Sequence, residues 1–516
     1  MQSEGRGLHT MPQTADQAYA ELIRRVKEGA LLGSCAAVLG WDERTYMPHQ
    51  GSSHRAEQMA LMARLVHEMM TAPEIGDLLG ELERSPLTHD KESIPTASIR
   101  EIRRSYNRAV KLPKELVEEL ARVTTRAQQV WQEARQADDF ARFQPWLQRI
   151  VDLKRQEAQA IGYSTVPYDA LLDEYEPGAT TAEITQVFAA LRNELVPLVG
   201  AILDSAKTPK REILEREYSV EQQKVFGQAA AAAIGFDFDS GRLDVTTHPF
   251  CSGIGPGDCR ITTRFNSHRF NEAFFGILHE AGHGIYEQGL DPEFFGTPAG
   301  SAASLGIHES QSRLWENQVG RGRPFWDHFL PKAQQAFPSL RDLKLDDFVF
   351  AVNDVRPSFI RVEADEATYN MHIILRFELE QALIGGDLQP ADVPAAWNER
   401  FTKSFQLTPP NNAQGCLQDI HWSMGGLGYF PTYTLGNLYA AQFMEQARQD
   451  LGDLDGDFRR GEFGPLKGWL NEKVHRPGQR FPAGELCKRV TGKSLSHKAL
   501  IAYLRAKYEP LYGINR

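Results

Sequence analysis

The chain has 516 residues, 41% of them hydrophobic and 24% charged, with a formal net charge of −11, the balance of an ordinary soluble globular protein. The acidic balance and the lack of any basic run argue against a nucleic-acid binder that tracks phosphates, and no stretch approaches the roughly 18 uninterrupted apolar residues of a membrane span. Five scattered cysteines, Cys35, Cys251, Cys259, Cys416 and Cys487, form no C-x-x-C pair, so no disulfide framework is expected and a cytoplasmic, reducing location suits the usage.

Residues 1–14 lack the apolar run of a signal peptide and read as a flexible tail. Residues 15–516 read as a single domain, without internal repeat or low-complexity linker. From Asp16 onward, Ala18, Leu22, Ile23 and Val26 recur at three- and four-residue spacing, which predicts a helix leading to a stop at Tyr46-Met47-Pro48. Trp41 and Asp42 near that stop either line a cleft or pack the helix end, the commoner role. A second helix is expected from about Ser53 to Met70. Residues 94–162 read as long charged helices with Ile99, Ile102, Tyr106, Leu116, Leu120 and Val123 inward and a solvated face of Arg and Glu. Capping-box spacing of Thr180 with Glu183, and of Ser219 with Gln222, marks two further helix starts, the second helix ending at Gly235.

The texture changes at Phe236. Glycines and a proline break any helix, and Asp258 to Phe265 alternates polar and apolar as a half-buried strand does. As an edge strand it could hold an extended peptide by backbone hydrogen bonds. Upstream, His248 in the stiff Thr247-His248-Pro249-Phe250 could touch substrate or make a structural hydrogen bond. The next stretch, between Asn271 and Leu290, has no proline and carries His279-Glu280-Ala281-Gly282-His283. On a helix, positions i and i+4 share a face, so both imidazoles of this H-E-x-x-H reach one metal ion. Glu280 stands close enough to act as general base toward a water there. A second helix is expected over Ala302 to Asn317, far enough on for a loop and an antiparallel return, and it carries Glu309 as a candidate third ligand. Two His and one Glu with a fourth position open is the set of catalytic rather than structural zinc.

Farther on, Arg361 stands among acidic residues, where it is either a plain ion pair or a bidentate partner for a carboxylate. It leads into an apolar helix through Tyr369, Ile373, Leu375, Phe377 and Leu379. Residues Gly415 to Trp422 and Gly425 to Tyr433 crowd glycines, His421 and tyrosines into one segment, either a loop approaching a ligand or packing around Trp422. Helices from Leu435 to the end are expected to close the fold.

With these motifs in hand, the sequence resembles the thermostable carboxypeptidase Taq family of metallopeptidases. Six signatures stand in family order, without departure: His248-Pro249-Phe250, the D-x-R-x-T of Asp258 to Thr262, His279 to His283, His308-Glu309-Ser310-Gln311, the I-R-x-x-A-D of Ile360 to Asp365, and the G-x-x-Q-D-x-H-W of Gly415 to Trp422. The resemblance implies a mainly α, two-lobed helical metallopeptidase with a long central groove and a small β-sheet beside the H-E-x-x-H helix, similar to neurolysin and angiotensin-converting enzyme. It also implies a homodimer that removes single C-terminal residues from peptides with broad specificity and disfavours terminal proline. Zinc is the implied metal, with cobalt a possible substitute. Carried over, His279, His283 and Glu309 are ligands and Glu280 the catalytic base. Arg361, with Arg260 as rival, would clamp the substrate carboxylate, and Tyr433 and His421 would stand near the scissile bond. Two other readings remain: an endopeptidase or dipeptide-releasing enzyme on the same site, and a metal-stabilised scaffold without activity, against which the open fourth position argues.

Overall fold

The computed structural model describes residues 14–514. The described chain falls into two compact units. The first is built from the described part of residues 1–110 together with 291–301 and 477–481. Its long helices are α1 (Ala15–Thr45), α2 (Ser52–Met70), α3 (Pro73–Leu82) and α4 (Ile94–Lys111). Thr14, the last residue of the expected tail, is a helix cap: its hydroxyl accepts the Gln17 N–H at 3.3 Å and Gln17 returns the bond at 3.0 Å. The rest of that tail lies outside the described residues. Leu22, Val26, Ile75, Leu79, Ile99 and Ile102 form the core of this unit, which explains the spacing read from α1 and α4. Trp41 is buried near the end of α1 and Asp42 pairs with Arg55 at 2.7 Å, the packing role of the two proposed for them.

The second unit takes residues 111–290, 302–476 and 482–516. It opens with α5 (Lys114–Ala137) and α6 (Phe140–Ile161), so the charged region 94–162 is three helices. Pro113, which has no N–H to give, makes one break, and Asp138, turned left-handed at φ 53°, makes the other. After α7 (Pro167–Leu172), α8 (Thr181–Leu203) starts at the Thr180–Glu183 capping box. Among the described residues, α8 alone is long and apolar enough by length and composition to cross a membrane, although Arg192 and Glu194 interrupt its apolar run. One face of it, Ile184, Phe188, Leu191, Leu195 and Leu198, is nevertheless buried in the protein. α9 (Val220–Ile234) ends at left-handed Gly235, as expected, but the Ser219 hydroxyl does not cap it. Gln223 holds that start instead, donating to the Tyr218 and Asn266 carbonyls at 3.0 and 2.9 Å.

Three strands follow, β1 (Gly241–Val245), β2 (Cys251–Gly255) and β3 (Asp258–Thr263). The sheet order is β1-β3-β2, with β1 parallel and β2 antiparallel to β3. β3 is therefore the central strand and not an edge. Both of its backbone rims are already paired, so no peptide can add to it, and the free rims belong to β1 and β2. All five cysteines are free, yet Cys251 and Cys259 meet across β2 and β3 with sulfurs 3.6 Å apart.

α10 (Phe270–Gly289) packs on this sheet. The Cys259 thiol lies 3.9 Å from the Gly284 carbonyl, and Ile261 and Thr263 face the same helix. Its other apolar side, Phe270, Phe274 and Phe275, is buried among Trp326 and Phe348. α11 (Leu305–Arg313) runs on into a π-helical segment, Leu314–Gly320. Then come α12 (Arg323–Ala336), α13 (Leu345–Val352), α14 (Tyr369–Gly385), α15 (Val393–Phe405) and α16 (Pro431–Leu451), with more helices to Tyr512. The result is a mainly helical protein whose small sheet lies beside the H-E-x-x-H helix, as the sequence predicts.

Candidate metal centre

Two helices bring the candidate ligands together, and each is held in place by its sequence. α10 carries His279 and His283 on one face, one turn apart. α11 starts where the Ser304 hydroxyl accepts the Ile307 N–H at 3.0 Å. Buried Glu176 adds a second anchor, accepting the Gly306 N–H at 3.1 Å and the Tyr439 hydroxyl at 3.0 Å. The two helices touch at Gly282. A Cβ there would lie 2.6 Å from the Gln311 carbonyl oxygen and 2.7 Å from Ser312 Cα, so no larger residue lets the backbones approach this closely. On the other side of α11, Gly436 of α16 plays the same part against Glu309, whose Cγ would lie 2.6 Å from an added Cβ.

One ligand atom from each of His279, His283 and Glu309 lies within 4.8 Å of the others. Glu309 Oε2 is 3.3 Å from His283 Nε2 and 3.7 Å from His279 Nε2. The other carboxylate oxygen, Oε1, accepts from Arg313 Nε at 2.7 Å, which turns Oε2 toward the histidines. Burial works against the Glu309 charge, but Arg313 and the two histidines outweigh it and hold its carboxyl well below the usual range. Burial likewise opposes the charge of Glu316, yet its bond to His279 and the nearby Arg313 bring its carboxyl down to about 2.

Anionic Glu316 can only accept, so His279 Nδ1–H donates to it at 2.9 Å. The Nε2 lone pair of His279 then faces Glu309 Oε2. Lone pairs converging on one point fit a divalent cation, and the His₂Glu set fits a catalytic one. Burial acts to lower the His279 value and Glu309 and Glu316 overcome it, so the pocket favours positive charge. His283, by contrast, is held neutral: burial brings it down to about 4.

Glu280 is buried beside this cluster, and burial pushes its carboxyl up to about 7. Tyr433 stands in the first turn of α16, three residues before Gly436 and so on the same side of the helix. Its hydroxyl is 3.3 Å from His421 Nε2. Burial and the nearby tyrosines keep its phenol protonated, and burial brings His421 down to about 4, leaving it neutral. Arg361 is buried: Nε and Nη2 donate to Asp419 Oδ1 at 2.9 and 2.8 Å, and Nη1 donates to the Tyr369 hydroxyl at 2.8 Å. Its guanidinium stands 5.1 Å from the Tyr433 ring, and Tyr369 in turn lies 4.5 Å beneath Arg313, the residue that orients Glu309. Arg260 sits apart from that chain of contacts. It pairs with Asp258 at 2.7 Å, on the face of β3 opposite Cys259 and Ile261, which face α10. His248 is exposed in the connection between β1 and β2.

For several residues here the sequence suggested no role. Glu316 backs His279, and Glu287 and His308 lie behind His283. Asp419 holds two buried arginines, Arg361 at 2.8 Å and Arg376 at 2.5 Å. Tyr429 packs on Tyr433 with ring centres 5.4 Å apart. Glu287 was within reach of pattern reasoning, because it extends the 279, 283 face by one more turn.

The comparisons with known proteins agree with this geometry. Residues 21–508 match the family model described as carboxypeptidase Taq (M32) metallopeptidase. Thermostable carboxypeptidase 1 of Thermus thermophilus is 48% identical over 510 residues, 97% of this chain and 100% of the relative. Carboxypeptidase 1 of Bacillus subtilis is 39% identical, covering 97% of this chain and 99% of its own. Among solved structures, the M32 carboxypeptidase from Deinococcus radiodurans R1 matches with a TM-score of 0.93 at 40% identity, over 96% of this chain and 100% of that one. A family match that spans nearly the whole sequence, on a fold whose two helices converge a His₂Glu set, leaves one conclusion: the chain belongs to the carboxypeptidase Taq (M32) metallopeptidases and is a peptide hydrolase.

Proposed function

We propose that this metallocarboxypeptidase removes single C-terminal residues from peptides with broad side-chain tolerance, using zinc held by His279, His283 and Glu309, with cobalt able to substitute. The observation that carries the reading is the convergence of those three side chains within 4.8 Å, with buried Glu280 adjacent. When bound, the ion supplies Lewis acidity, polarising the scissile carbonyl and acidifying water.

The protein's own groups supply the rest. Glu280 takes the proton from the attacking water and passes it to the leaving amine. A carboxyl raised to about 7 by burial is poised for that exchange near neutrality. Tyr433, which keeps its proton, donates to the developing oxyanion, and His421 at 3.3 Å orients that hydroxyl. A donor so placed is worth roughly 3 kcal/mol in comparable sites. Arg361 is the proposed clamp for the substrate's terminal carboxylate. Its contacts with Tyr433 and Tyr369 favour it over Arg260, which sits on the sheet face turned from α10. Terminal proline is disfavoured because its nitrogen, once in a peptide bond, has no N–H to offer the site. The proposal extends to a homodimer in the cytoplasm, which light scattering on the purified protein and fractionation of cells address.

Mass spectrometry of mixed peptides, with metal-loaded and chelated protein, tests the activity. A ladder losing one C-terminal residue at a time, only with metal and not from C-terminally amidated peptides, is the expected result. Internal cleavage, or equal cleavage of amidated peptides, would remove the carboxylate clamp.

A further inference from the structure

The two histidines are backed differently. His279 Nδ1 meets a carboxylate directly, Glu316 Oε2 at 2.9 Å. His283 Nδ1 meets another imidazole: His308 Nδ1 lies 2.5 Å away, and His308 Nε2 is 2.7 Å from Glu287 Oε1. With both rings neutral, these bonds admit one proton order. A carboxylate offers only lone pairs, so His308 must carry its proton on Nε2 and donate it to Glu287. The Nδ1 of neutral His308 is then an acceptor, and the proton between the rings belongs to His283 Nδ1. The Nε2 of His283 is left with a bare lone pair, 3.3 Å from Glu309 Oε2. Neighbours hold this arrangement. The Tyr286 ring packs on His308 with centres 5.1 Å apart, and Gly253 of β2 abuts the Glu287 carboxylate so closely that a side chain there would strike it.

We propose that His308 and Glu287 are positioning residues for His283, forming with it one proton-ordered chain that fixes its ring orientation and tautomer so that Nε2 is presented to the metal. The inference rests on the reading of His283 as a ligand and goes beyond it. It also makes the two histidines unequal. The anion behind His283 is one ring farther away than the anion behind His279, so His279 is the more strongly polarised ligand.

Cobalt binding to apoprotein, followed by visible absorption and by competition with a chelator, tests this without turnover. The wild type is titrated first, and failure to bind cobalt there would overturn the ligand reading and the inference together. His308→Ala should bind about 10- to 100-fold more weakly, with an altered spectrum. His308→Asn, whose side-chain oxygen can take the place of the Nδ1 acceptor, should recover most of the affinity and the wild-type spectrum. Glu287→Ala, which frees the His308 proton, should show a smaller loss in the same direction and carries the test if His308→Ala does not fold. Wild-type affinity in His308→Ala or Glu287→Ala, or an Asn variant as weak as the Ala variant, would overturn the proposal.

Discussion

A single methyl group at Gly282 probes the point on which the metal centre depends. Its Cβ would stand 2.6 Å from the Gln311 carbonyl oxygen, whereas ordinary contact begins at 3.4 Å, so α10 and α11 must part by about 0.8 Å. The obstacle is backbone and cannot rotate away. Overpacking of this kind costs about 1–3 kcal/mol, and replacing glycine by alanine inside a helix returns about 1 kcal/mol. The metal-free protein should therefore lose no more than about 2 kcal/mol. Metal binding should suffer more, because ligand distances tolerate only about ±0.2 Å. Glu309 rides on α11 while both histidines ride on α10, so the displacement falls on the proposed ligand set itself. A loss of about 10- to 100-fold in zinc affinity is expected, and with it a smaller rise in melting temperature on adding metal. Chelator competition and paired thermal melts measure both quantities. A Gly282→Ala protein with wild-type zinc affinity would refute the reasoning, since it would mean that the helices can part without moving the ligands.

Three other outcomes are expected. Glu280→Gln should keep the metal and lose at least about 10²-fold in turnover, measured on a peptide substrate; an unchanged rate would withdraw Glu280 as the base. Asp419→Asn leaves Arg361 and Arg376 buried without their shared anion, and denaturant unfolding should show a loss of about 3–5 kcal/mol; a loss under 1 kcal/mol would mean that the pair is not structurally coupled. For Glu176, burial pushes the carboxyl from 4.5 up to about 7. Between those pH values the unfolded chain ionises while the folded one stays protonated. The contribution of Glu176 to stability therefore falls as pH rises through that window, by roughly 3 kcal/mol, and is constant outside it. The stability of Glu176→Gln relative to wild type should swing in the variant's favour from pH 4.5 to pH 7, and a flat difference would show that the buried group is ionised.

What could be read from the sequence follows the range of the interactions involved. The His279–His283 pair and the α10 helix depend on spacing within a few turns, and both stand in the structure where the pattern puts them. The Thr180 cap was legible for the same reason. Ser219 has the same spacing without the bond, because spacing does not set which way a hydroxyl turns. Asp258 to Thr263 was legible as a strand, but its central position was not: alternation reports one strand's faces and says nothing of which partners flank it. Cys251 and Cys259 likewise meet only through strand register. The anion behind His279 and the pairing of Arg361 with Asp419 join residues 37 and 58 positions apart, beyond any periodicity.

The π-helical segment Leu314–Gly320 has a consequence for the history and engineering of this chain. Such a segment is what one inserted residue leaves in an α-helix, and it carries Glu316, the anion behind His279. Deleting Leu314 or Trp315 would let an ordinary helix form and improve its backbone bonding. It would also swing Glu316 about 100° around the axis, away from His279. Leu314 and Trp315 are themselves fully buried, so the same deletion would empty part of the core and shift the buried residues that follow, and the core as well as the carboxylate ties the chain to the looser turn.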